Sequence, residues 1–300
     1  MPLTATAAVA LGAGFDRLFA EPPTRVHPVV WFGKLVAPFD REWGSPKLVG
    51  LAVALGLPLL AAGVVASVVA GAGLLHSVAA AAVAGLVLFA TTSLRMLLDA
   101  ASDVVALTES DLDGARFELR ALAGRDAAAL SAAEVRSAAV ESLAENLADG
   151  LVAPLLGFAL LAPFSLPLAA AAAAWVKAVN TLDSMLGYRS KPVGWASARL
   201  DDAVMWLPAR VSALLIALAA GAPLAVVNAA ADARVPVSPN SGWPMATLAV
   251  ALGTRLEKPG HYRLNAEGDL PTVADAERGV HLVATAGLLA VGLAGVVAWF

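Results

Sequence analysis

Long apolar stretches alternate with short polar segments along this chain. Residues 48–94, 150–176, 211–231 and 279–300 contain no Asp, Glu, Lys or Arg. A soluble helix keeps a polar face, whereas a helix that crosses a membrane needs about 20 consecutive apolar residues. The pattern therefore predicts an all-α polytopic membrane protein with full-span helices, forming a single membrane-embedded domain over residues 1–300. The predicted membrane segments are 3–15, 48–71, 76–94, 150–176, 206–231 and 279–300.

Turn-forming residues interrupt several of these stretches. Residues 48–94 are long enough for two helices, with a turn near residues 71–77. Residues 150–176 are too short for two full spans at about 1.5 Å per residue, and Pro163 and Pro167 break them in the middle. Gly221 and Pro223 interrupt residues 211–231 in the same way. Re-entrant or broken helical hairpins are favoured at both places, and a single kinked span is the alternative.

The basic residues indicate an orientation. Lys and Arg cluster between the apolar stretches, and the connectors 71–77, 162–167 and 221–223 contain none. Short basic loops stay on the cytoplasmic side, so we expect a multi-pass cell-membrane protein whose helical polar loops and active site face the cytoplasm. If residues 150–176 are a single span, residues 177–210 lie on the other side. The N-terminal stretch lacks a basic region and an A-x-A site, so no signal peptide is expected.

The longest polar insertion, residues 97–149, is predicted to be helical. Ser131 and Glu134 form a capping-box pattern, and apolar residues recur after them at helical spacing. This helix carries the first group of candidate chemical residues.

Glu141, Glu145 and Asp149 lie at positions i, i+4 and i+8 of this helix, with Asn146 beside them. Carboxylates stacked on one helical face repel one another. A magnesium ion is one way to compensate, because it prefers hard oxygen ligands. A solvated face, or neutralisation by nearby arginines, explains the same spacing.

A second polar cluster follows residues 150–176. Asn180 and Asp183 share a helical face, and Asp201 and Asp202 are adjacent carboxylates. Charge near the membrane surface is costly unless it is paired or useful, so the three aspartates are functional candidates. Helix caps and juxtamembrane anchors are the alternative explanation. Anchoring is the favoured interpretation for Lys177, Arg210 and the tryptophans Trp175, Trp195 and Trp206.

Two loop-like segments complete the polar inventory. His27 precedes Pro28 in an extended position, and a lone histidine of this kind is more often structural than a ligand. Residues 238–244 form a dense turn cluster with Ser238, Asn240 and Trp243. Small residues there permit close approach of a ligand, although an ordinary tight turn has the same composition.

Composition excludes several classes of protein. The chain has no cysteine, which removes disulfides and thiolate chemistry. Its net charge of −4 gives no basic field for nucleic acid. Phosphate-loop, nucleophile-elbow and zinc-protease motifs are absent from the sequence. The residues alone therefore predict a multispan protein with an acidic, amide-rich polar site.

Taken in order, these motifs resemble the CobD/CbiB family of adenosylcobinamide-phosphate synthases. The resemblance covers residues 14–262, nearly the whole chain. Two departures are Ala20-Glu21-Pro22, where Gly-Asp-Pro is usual, and a less Gly-rich stretch before Tyr262. The motifs are Asp16-Arg17-Leu18 to His27-Pro28-Val29, Gly124-Arg125-Asp126, Glu141 to Asn146 with Asp149-Gly150, Asn180 to Met185 with Gly187-Tyr188, Ala198 to Asp202 with Pro208-Ala209-Arg210, and Ser238-Pro239-Asn240 with Gly242-Trp243-Pro244.

The resemblance implies a late step of cobalamin assembly. Such enzymes join adenosylcobyric acid to (R)-1-amino-2-propanol or its O-phosphate, driven by ATP with magnesium. The implied partners are this corrinoid, the amine, the lipid bilayer and other cobalamin-assembly membrane enzymes. A membrane transporter or permease, and a sensor resembling AmpE, are the alternatives; the second is disfavoured because the acids are all present.

The roles implied for individual residues rest on motif position. We expect the acids and amides from distant stretches to meet in one pocket at the inner leaflet. The catalytic candidates are Glu141, Glu145, Asp149, Asp183, Asp201 and Asp202, of which Glu145, Asp149, Asp183 and Asp202 are candidate magnesium ligands. The candidate substrate-binding residues are His27, Arg125, Asn146, Asn180, Tyr188, Arg199, Arg210, Ser238, Asn240, Trp243 and Tyr262.

Overall fold

The computed structural model describes residues 2–124 and 126–300 and confirms the all-α prediction. The helices are α1 (Pro2–Phe19), α2 (Pro28–Val36), α3 (Pro46–Leu75), α4 (Ser77–Thr91), α5 (Leu94–Ser110), α6 (Leu112–Glu118), α7 (Ala132–Leu147), α8 (Ala153–Leu161), α9 (Leu166–Leu186), α10 (Trp195–Val204), α11 (Trp206–Ala219), α12 (Ala225–Asn228), α13 (Gly242–Leu252) and α14 (Val273–Trp299).

Short elements join these helices. A π turn, Ala148–Val152, connects α7 to α8 without a break. Two strands, β1 (Leu256–Lys258) and β2 (Tyr262–Leu264), pair antiparallel with Glu257 opposite Arg263. The 3-10 turns are Thr24–Val26, Ala37–Phe39, Leu119–Ala121, Pro192–Gly194 and Asp232–Arg234.

Among the described residues, four helical stretches are long and apolar enough to cross a membrane: Pro46–Leu75, Ser77–Ser110, Ala132–Leu161 and Val273–Trp299. Most of α3 is exposed, with large apolar side chains such as Leu55 and Leu59 on its surface. A surface of this kind is stable in contact with lipid rather than water. The protein is therefore membrane-embedded.

The predicted breaks are confirmed. His76 separates α3 from α4, residues 162–165 separate α8 from α9, and Gly221 lies in the turn after α11. The capping box of Ser131 and Glu134 is present at the start of α7. One boundary differs, because the span that contains α8 begins at Ala132 rather than at residue 150, the π turn having preserved helical continuity through the polar residues.

Helices α10 and α11 form a further bent pair. Pro192–Val204 and Trp206–Ala219 meet at 45° and together have the length and hydropathy of a broken span or re-entrant loop. The first arm carries Arg199, Asp201 and Asp202, whose burial in hydrocarbon would be costly.

The helices divide into two compact units. Unit 1 contains residues 2–93, 149–205 and 290–300, and unit 2 contains residues 94–148 and 206–289. The single embedded domain expected from the sequence concerns both units together and stays a prediction.

In unit 1, α9 packs against α2, α3, α4, α8 and α10. Val36, Val53, Leu182 and Leu186 form a buried apolar cluster that fixes α2, α3 and α9. The polar residues of α9 are therefore held by a rigid frame.

Helix α1 packs closely on α4 in the same unit. A Cβ atom at Gly12 would lie 2.8 Å from Leu88 Cβ. Small residues of this kind allow membrane helices to approach each other.

In unit 2, α7 packs against α5, α13 and β1, and α11 packs against α13. Ser137 ties α7 to the hairpin, because its Oγ accepts a hydrogen bond from the Glu257 backbone N–H at 2.8 Å. The hairpin thereby carries Tyr262 to the side of α7.

Candidate active site

Unit 1 brings together an amide and several carboxylates from three helical segments. Asn180 Nδ2 on α9 donates a hydrogen bond to Asp149 Oδ2 in the π turn at 3.3 Å. The charge of Asp202 raises the pKa of Asp183, and the charges of Asp149, Asp183 and Asp202 raise that of Asp201, so the carboxylates of α10 lie near the other two. We call Asp149, Asn180, Asp183, Asp201 and Asp202 the carboxylate cluster.

The carboxylates of this cluster destabilise one another's charged forms. Burial, followed by the charges of Asp149, Asp183 and Asp202, raises the pKa of Asp201 to about 8, against a smaller opposing effect of Asn180. Burial and the charge of Asp202 also raise the pKa of Asp183. Asp201 Oδ1 is buried, and no described residue hydrogen-bonds to it. Repulsion and an unsatisfied oxygen are typical of a site that receives a cation or a proton.

Gly187 makes room for the Asp183 carboxylate. A Cβ atom at Gly187 would overlap Asp183 Oδ1 and lie 2.7 Å from the Asp183 carbonyl oxygen. The glycine that follows the aspartate in the sequence motif therefore has a steric explanation in the structure.

Unit 1 also contains a polar cavity of about 210 Å³. Glu21, Thr24, His27, Ser93 and Lys177 are among the residues that line it. Lys177 is partly buried, and burial lowers its pKa against the opposing charges of Asp149 and Glu21. The interpretation of Lys177 as a membrane anchor stays a prediction, and its side chain lines this cavity as well.

His27 has a structural role at the edge of the same cavity. Its Nδ1 accepts the backbone N–H of Val29 at 3.2 Å and caps α2, and its Nε2 lies 3.7 Å from Glu21 Oε2. Burial and the charge of Lys177 lower the pKa of His27, whereas burial raises the pKa of Glu21 against the effect of Lys177.

In unit 2, Glu141 is fully buried and hydrogen-bonded. Ser137 Oγ donates to Glu141 Oε1 at 3.1 Å, and the Tyr262 hydroxyl donates to Oε2 at 2.8 Å. These bonds favour a positioning role for Glu141 and Tyr262.

Glu145, one turn further along α7, lines a pocket of about 310 Å³ within unit 2. Ser142, Ser238, Lys258, His261 and Tyr262 also line this pocket. The α-helical spacing that relates Glu141 and Glu145 ends at the wider π turn, which contains Asp149. The shared pocket for Glu145 and Asp183 stays a prediction, since the two residues belong to different units.

Arg210 ties α11 to the turn cluster. Its Nη1 donates to Asn240 Oδ1 at 2.9 Å and to the Trp206 carbonyl at 2.8 Å, and its guanidinium lies over the rings of Trp206 and Trp243 at 4.5 and 5.0 Å. Ser238 Oγ accepts the backbone N–H of Asn240 at 3.2 Å. Interpreting Arg210 only as a membrane anchor leaves out these hydrogen bonds and ring contacts, which occupy much of its guanidinium.

The other predicted substrate-binding residues lie in varied surroundings. Asn146 Nδ2 donates to the Ser142 carbonyl of its own helix at 2.9 Å. Arg199 pairs with Asp202 at 3.0 Å, which places it beside the carboxylate cluster. Tyr188 is exposed. Arg125 lies outside the described residues.

Four residues of these sites were missed from the sequence: Glu21, Lys177, Lys258 and His261. Two of them could have been recognised from the sequence: Glu21 is an acid within a motif, and Lys177 is a lysine on an Ala-rich helix. Lys258 and His261 become site residues only because the hairpin turns back on α7.

The donor chemistry of the carboxylate cluster suits magnesium. This ion keeps several waters and takes one or two carboxylates together with substrate phosphates, and the unsatisfied oxygen of Asp201 agrees with such a role. Within residues 2–124 and 126–300, no three acidic or imidazole groups converge closely enough to hold an ion by themselves. Magnesium binding by Glu145, Asp149, Asp183 and Asp202 stays a prediction.

The fold and these sites define a membrane-embedded, all-helical protein with a carboxylate-rich polar site. The chain belongs to the CobD/CbiB family, described as CobD/Cbib protein, which matches residues 9–294. It is 38% identical to the cobalamin biosynthesis protein CobD of Rhodobacter capsulatus over 90% of each chain. It is 41% identical to that of Geobacter metallireducens over 85% of this chain and 82% of the relative.

An archaeal relative gives the same result. The probable cobalamin biosynthesis protein CobD of Methanothrix thermoacetophila is 36% identical over 92% of this chain and 91% of its own. No solved structure matches the chain. The protein is therefore a cobalamin biosynthesis protein of the CobD family.

Proposed function

We propose that this protein is an ATP-dependent amide ligase. It joins the free propionate of adenosylcobyric acid to 1-amino-2-propanol or its O-phosphate, giving adenosylcobinamide or its phosphate. The family match supports the pathway, and the observation that carries the chemistry is the carboxylate cluster of unit 1. Transporter activity has no comparable support, since the relatives are named for biosynthesis.

The reaction needs an activated carboxylate, because hydroxide is a poor leaving group. The propionate oxygen attacks the terminal phosphorus of ATP, and ADP leaves with the electron pair of the broken P–O bond. The amine nitrogen then loses a proton, attacks the acyl carbon and expels phosphate. One ATP is consumed for each amide bond, with ADP, phosphate and one proton as the other products.

Magnesium, when bound, would neutralise the ATP phosphates and the charge that develops on them. The carboxylate cluster provides the groups to hold it, and another carboxylate of unit 1 accepts the ammonium proton. Arg199, already paired with Asp202, orients that carboxylate. In unit 2, Glu145 and the pocket around it provide hydrogen-bonding groups for the amide rim of the corrinoid.

The decisive test is mass spectrometry of adenosylcobyric acid incubated with purified protein, magnesium ATP and either amine. We expect the mass of the amide product only when ATP is present. Asp183→Asn and Glu145→Gln should each abolish product, whereas the exposed Asp103→Asn should leave it unchanged. Wild-type turnover in both site variants would overturn the site, and corrinoid flux into sealed vesicles without any amide product would overturn the function.

We propose further that the catalytic site faces the cytoplasm, as the basic residues indicate. A reporter fused after Tyr188 tests this orientation, because Tyr188 follows α9 directly. We expect a cytoplasmic signal from this fusion; an external signal would refute the proposed orientation.

A further inference from the structure

The polar cavity of unit 1 contains a cation without a close counter-ion. Among the described residues, Lys177 Nζ forms no hydrogen bond or ion pair, and only the charges of Asp149 and Glu21 act on it. Asp149 and Glu21 act on this ammonium only from further away. A partly buried ammonium without a direct partner loses hydration that the protein does not replace, so the arrangement favours a bound ligand.

The fold holds Lys177 in this position. The α9 residues around it are small and buried, including Ala173, Ala174 and Ala178. Helix α9 packs against α2, α3 and α4, and Lys177 lines the cavity. In a structural ion pair the two charged groups are in direct contact. Lys177 and Glu21 form no such ion pair, although both line the cavity.

The cavity offers charges of both signs. Lys177 supplies an ammonium, and Glu21 supplies a carboxylate 3.7 Å from the neutral His27 ring. A simple anion would be repelled by Glu21, and a simple cation by Lys177. The two groups together complement a small zwitterion whose negative and positive ends are separated by a short chain.

Size limits the ligand further. The volume of about 210 Å³ is below the roughly 300–1,000 Å³ of pockets for drug-sized ligands. A corrinoid therefore cannot enter, but a small aminoalkyl phosphate can. The site also adjoins the carboxylate cluster, since the charge of Asp149 acts on Lys177 and Asn180 hydrogen-bonds to Asp149.

We propose that this cavity binds the amine substrate as an aminoalkyl phosphate, with the phosphate on Lys177 and the ammonium on Glu21. The inference rests on the proposed ligase function and specifies where its second substrate binds. An apolar groove lined by Phe32, Val65 and Ala174 also reaches Lys177. The same headgroup chemistry is therefore available from an ethanolamine phospholipid, and the experiments separate the two sources.

The first experiment compares two substrates in full-length protein. Lys177→Met should raise KM for 1-amino-2-propanol O-phosphate about tenfold or more and change KM for unphosphorylated 1-amino-2-propanol less than about twofold, because only the first carries the phosphate. Glu21→Gln should raise KM for both amines, since both carry the ammonium. The exposed Lys34→Met is the matched control and should change neither value. Equal effects of Lys177→Met on the two amines would overturn the assignment.

The second experiment measures binding without turnover. Calorimetry with 1-amino-2-propanol O-phosphate, in the absence of ATP and corrinoid, should give binding to the wild type that is weakened about tenfold or more in Lys177→Met. Binding without amide product in the turnover assay would refute the ligase function but support the binding site. Amide product together with unaltered binding by Lys177→Met would support the ligase function and refute the binding site.

The third experiment tests the lipid source. Native mass spectrometry in dioleoyl phosphatidylethanolamine and in dioleoyl phosphatidylcholine should show no Lys177-dependent retention of either lipid. Retention of the ethanolamine lipid that Lys177→Met abolishes, and that the soluble amine phosphate does not displace, would assign the cavity to a phospholipid instead.

Discussion

The Tyr262 hydroxyl donates a hydrogen bond to Glu141 Oε2 at 2.8 Å, joining a hairpin strand to a fully buried acid on α7 in unit 2. The residues are 121 positions apart in the chain. Such a bond replaces part of the hydration that a buried carboxylate loses. It fixes the hairpin and thereby the wall of the Glu145 pocket.

Tyr262→Phe should therefore lower the free energy of unfolding by about 1–3 kcal/mol, because Glu141 loses a charge-assisted partner. The chain has one other tyrosine, Tyr188, which is exposed. Tyr188→Phe is the matched control and should leave stability unchanged. Thermal unfolding in detergent measures both variants. Equal stability of the two would show that the Glu141 bond contributes nothing.

The pH dependence of stability should report His27. Its pKa is lowered in the folded state from an ordinary value of 6.5, so the unfolded state binds a proton more readily as the pH falls. The stability that His27 contributes should be intact above that ordinary value and decrease below it, until the folded-state pKa is passed, whereas the raised pKa of Asp201, about 8, makes stability rise as the pH falls over the same range. The unfolding midpoint measured from pH 8 to pH 5 checks this expectation.

His27→Asn is the control for that titration. Asparagine also caps a helix through its side-chain oxygen, so the α2 cap is kept without a titrating group. Relative to this variant, the wild type should lose stability as the pH falls below about 6.5, because the opposing effect of Asp201 is common to both proteins. A slope identical to that of the wild type would assign the effect to other groups.

The backbone at Ala20 should be strained, and a glycine at this position should relieve the strain. Its φ of 61° lies in the left-handed region, where the resembling motif usually has glycine. Ala20→Gly should stabilise the fold by about 0.5–1 kcal/mol, since relief of the Cβ clash exceeds the entropy that glycine adds to the unfolded chain.

Ala106→Gly is the control for Ala20→Gly, because it should change the free energy of unfolding in the opposite direction. Ala106 is exposed within α5, where glycine costs about 1 kcal/mol. Chemical denaturation of both variants should show the two changes in opposite directions. Destabilisation by Ala20→Gly would contradict the strained conformation.

Gly187→Ala should impair amide formation more than it impairs folding. The added methyl would overlap Asp183 Oδ1 and push that carboxylate out of the cluster. Turnover by mass spectrometry and unfolding of the same samples measure the two effects. Gly14→Ala on α1, where a Cβ would meet nothing within 4 Å, should leave turnover unchanged. Full activity of Gly187→Ala would mean that Asp183 tolerates displacement.

Local sequence signals were sufficient to predict most of the helical architecture. The apolar runs, the prolines at 163 and 167 and the Ser131–Glu134 capping box act within a turn or two of chain, so the pattern alone located the breaks and the helical insertion. The start of the span at Ala132 was not predictable in this way. Its acids look polar in sequence, but one of them, Glu141, is buried and hydrogen-bonded to Ser137 and Tyr262.

The site was predictable as a set of residues and not as an arrangement. Asp149, Asn180 and Asp201 were recognised by motif, and the structure places them together in unit 1. Lys177 was not predicted as a site residue, because a lysine beside an apolar helix is usually an anchor. Only the packing of α9 shows that this lysine faces a cavity.

The steric fit between Gly187 and Asp183 means that the position of the Asp183 carboxylate depends on a residue with no side chain. In a survey of all single substitutions, position 187 should tolerate as little variation as the aspartate, although it has no chemistry of its own. A designer who wishes to reshape this end of α9 would have to replace both positions at once.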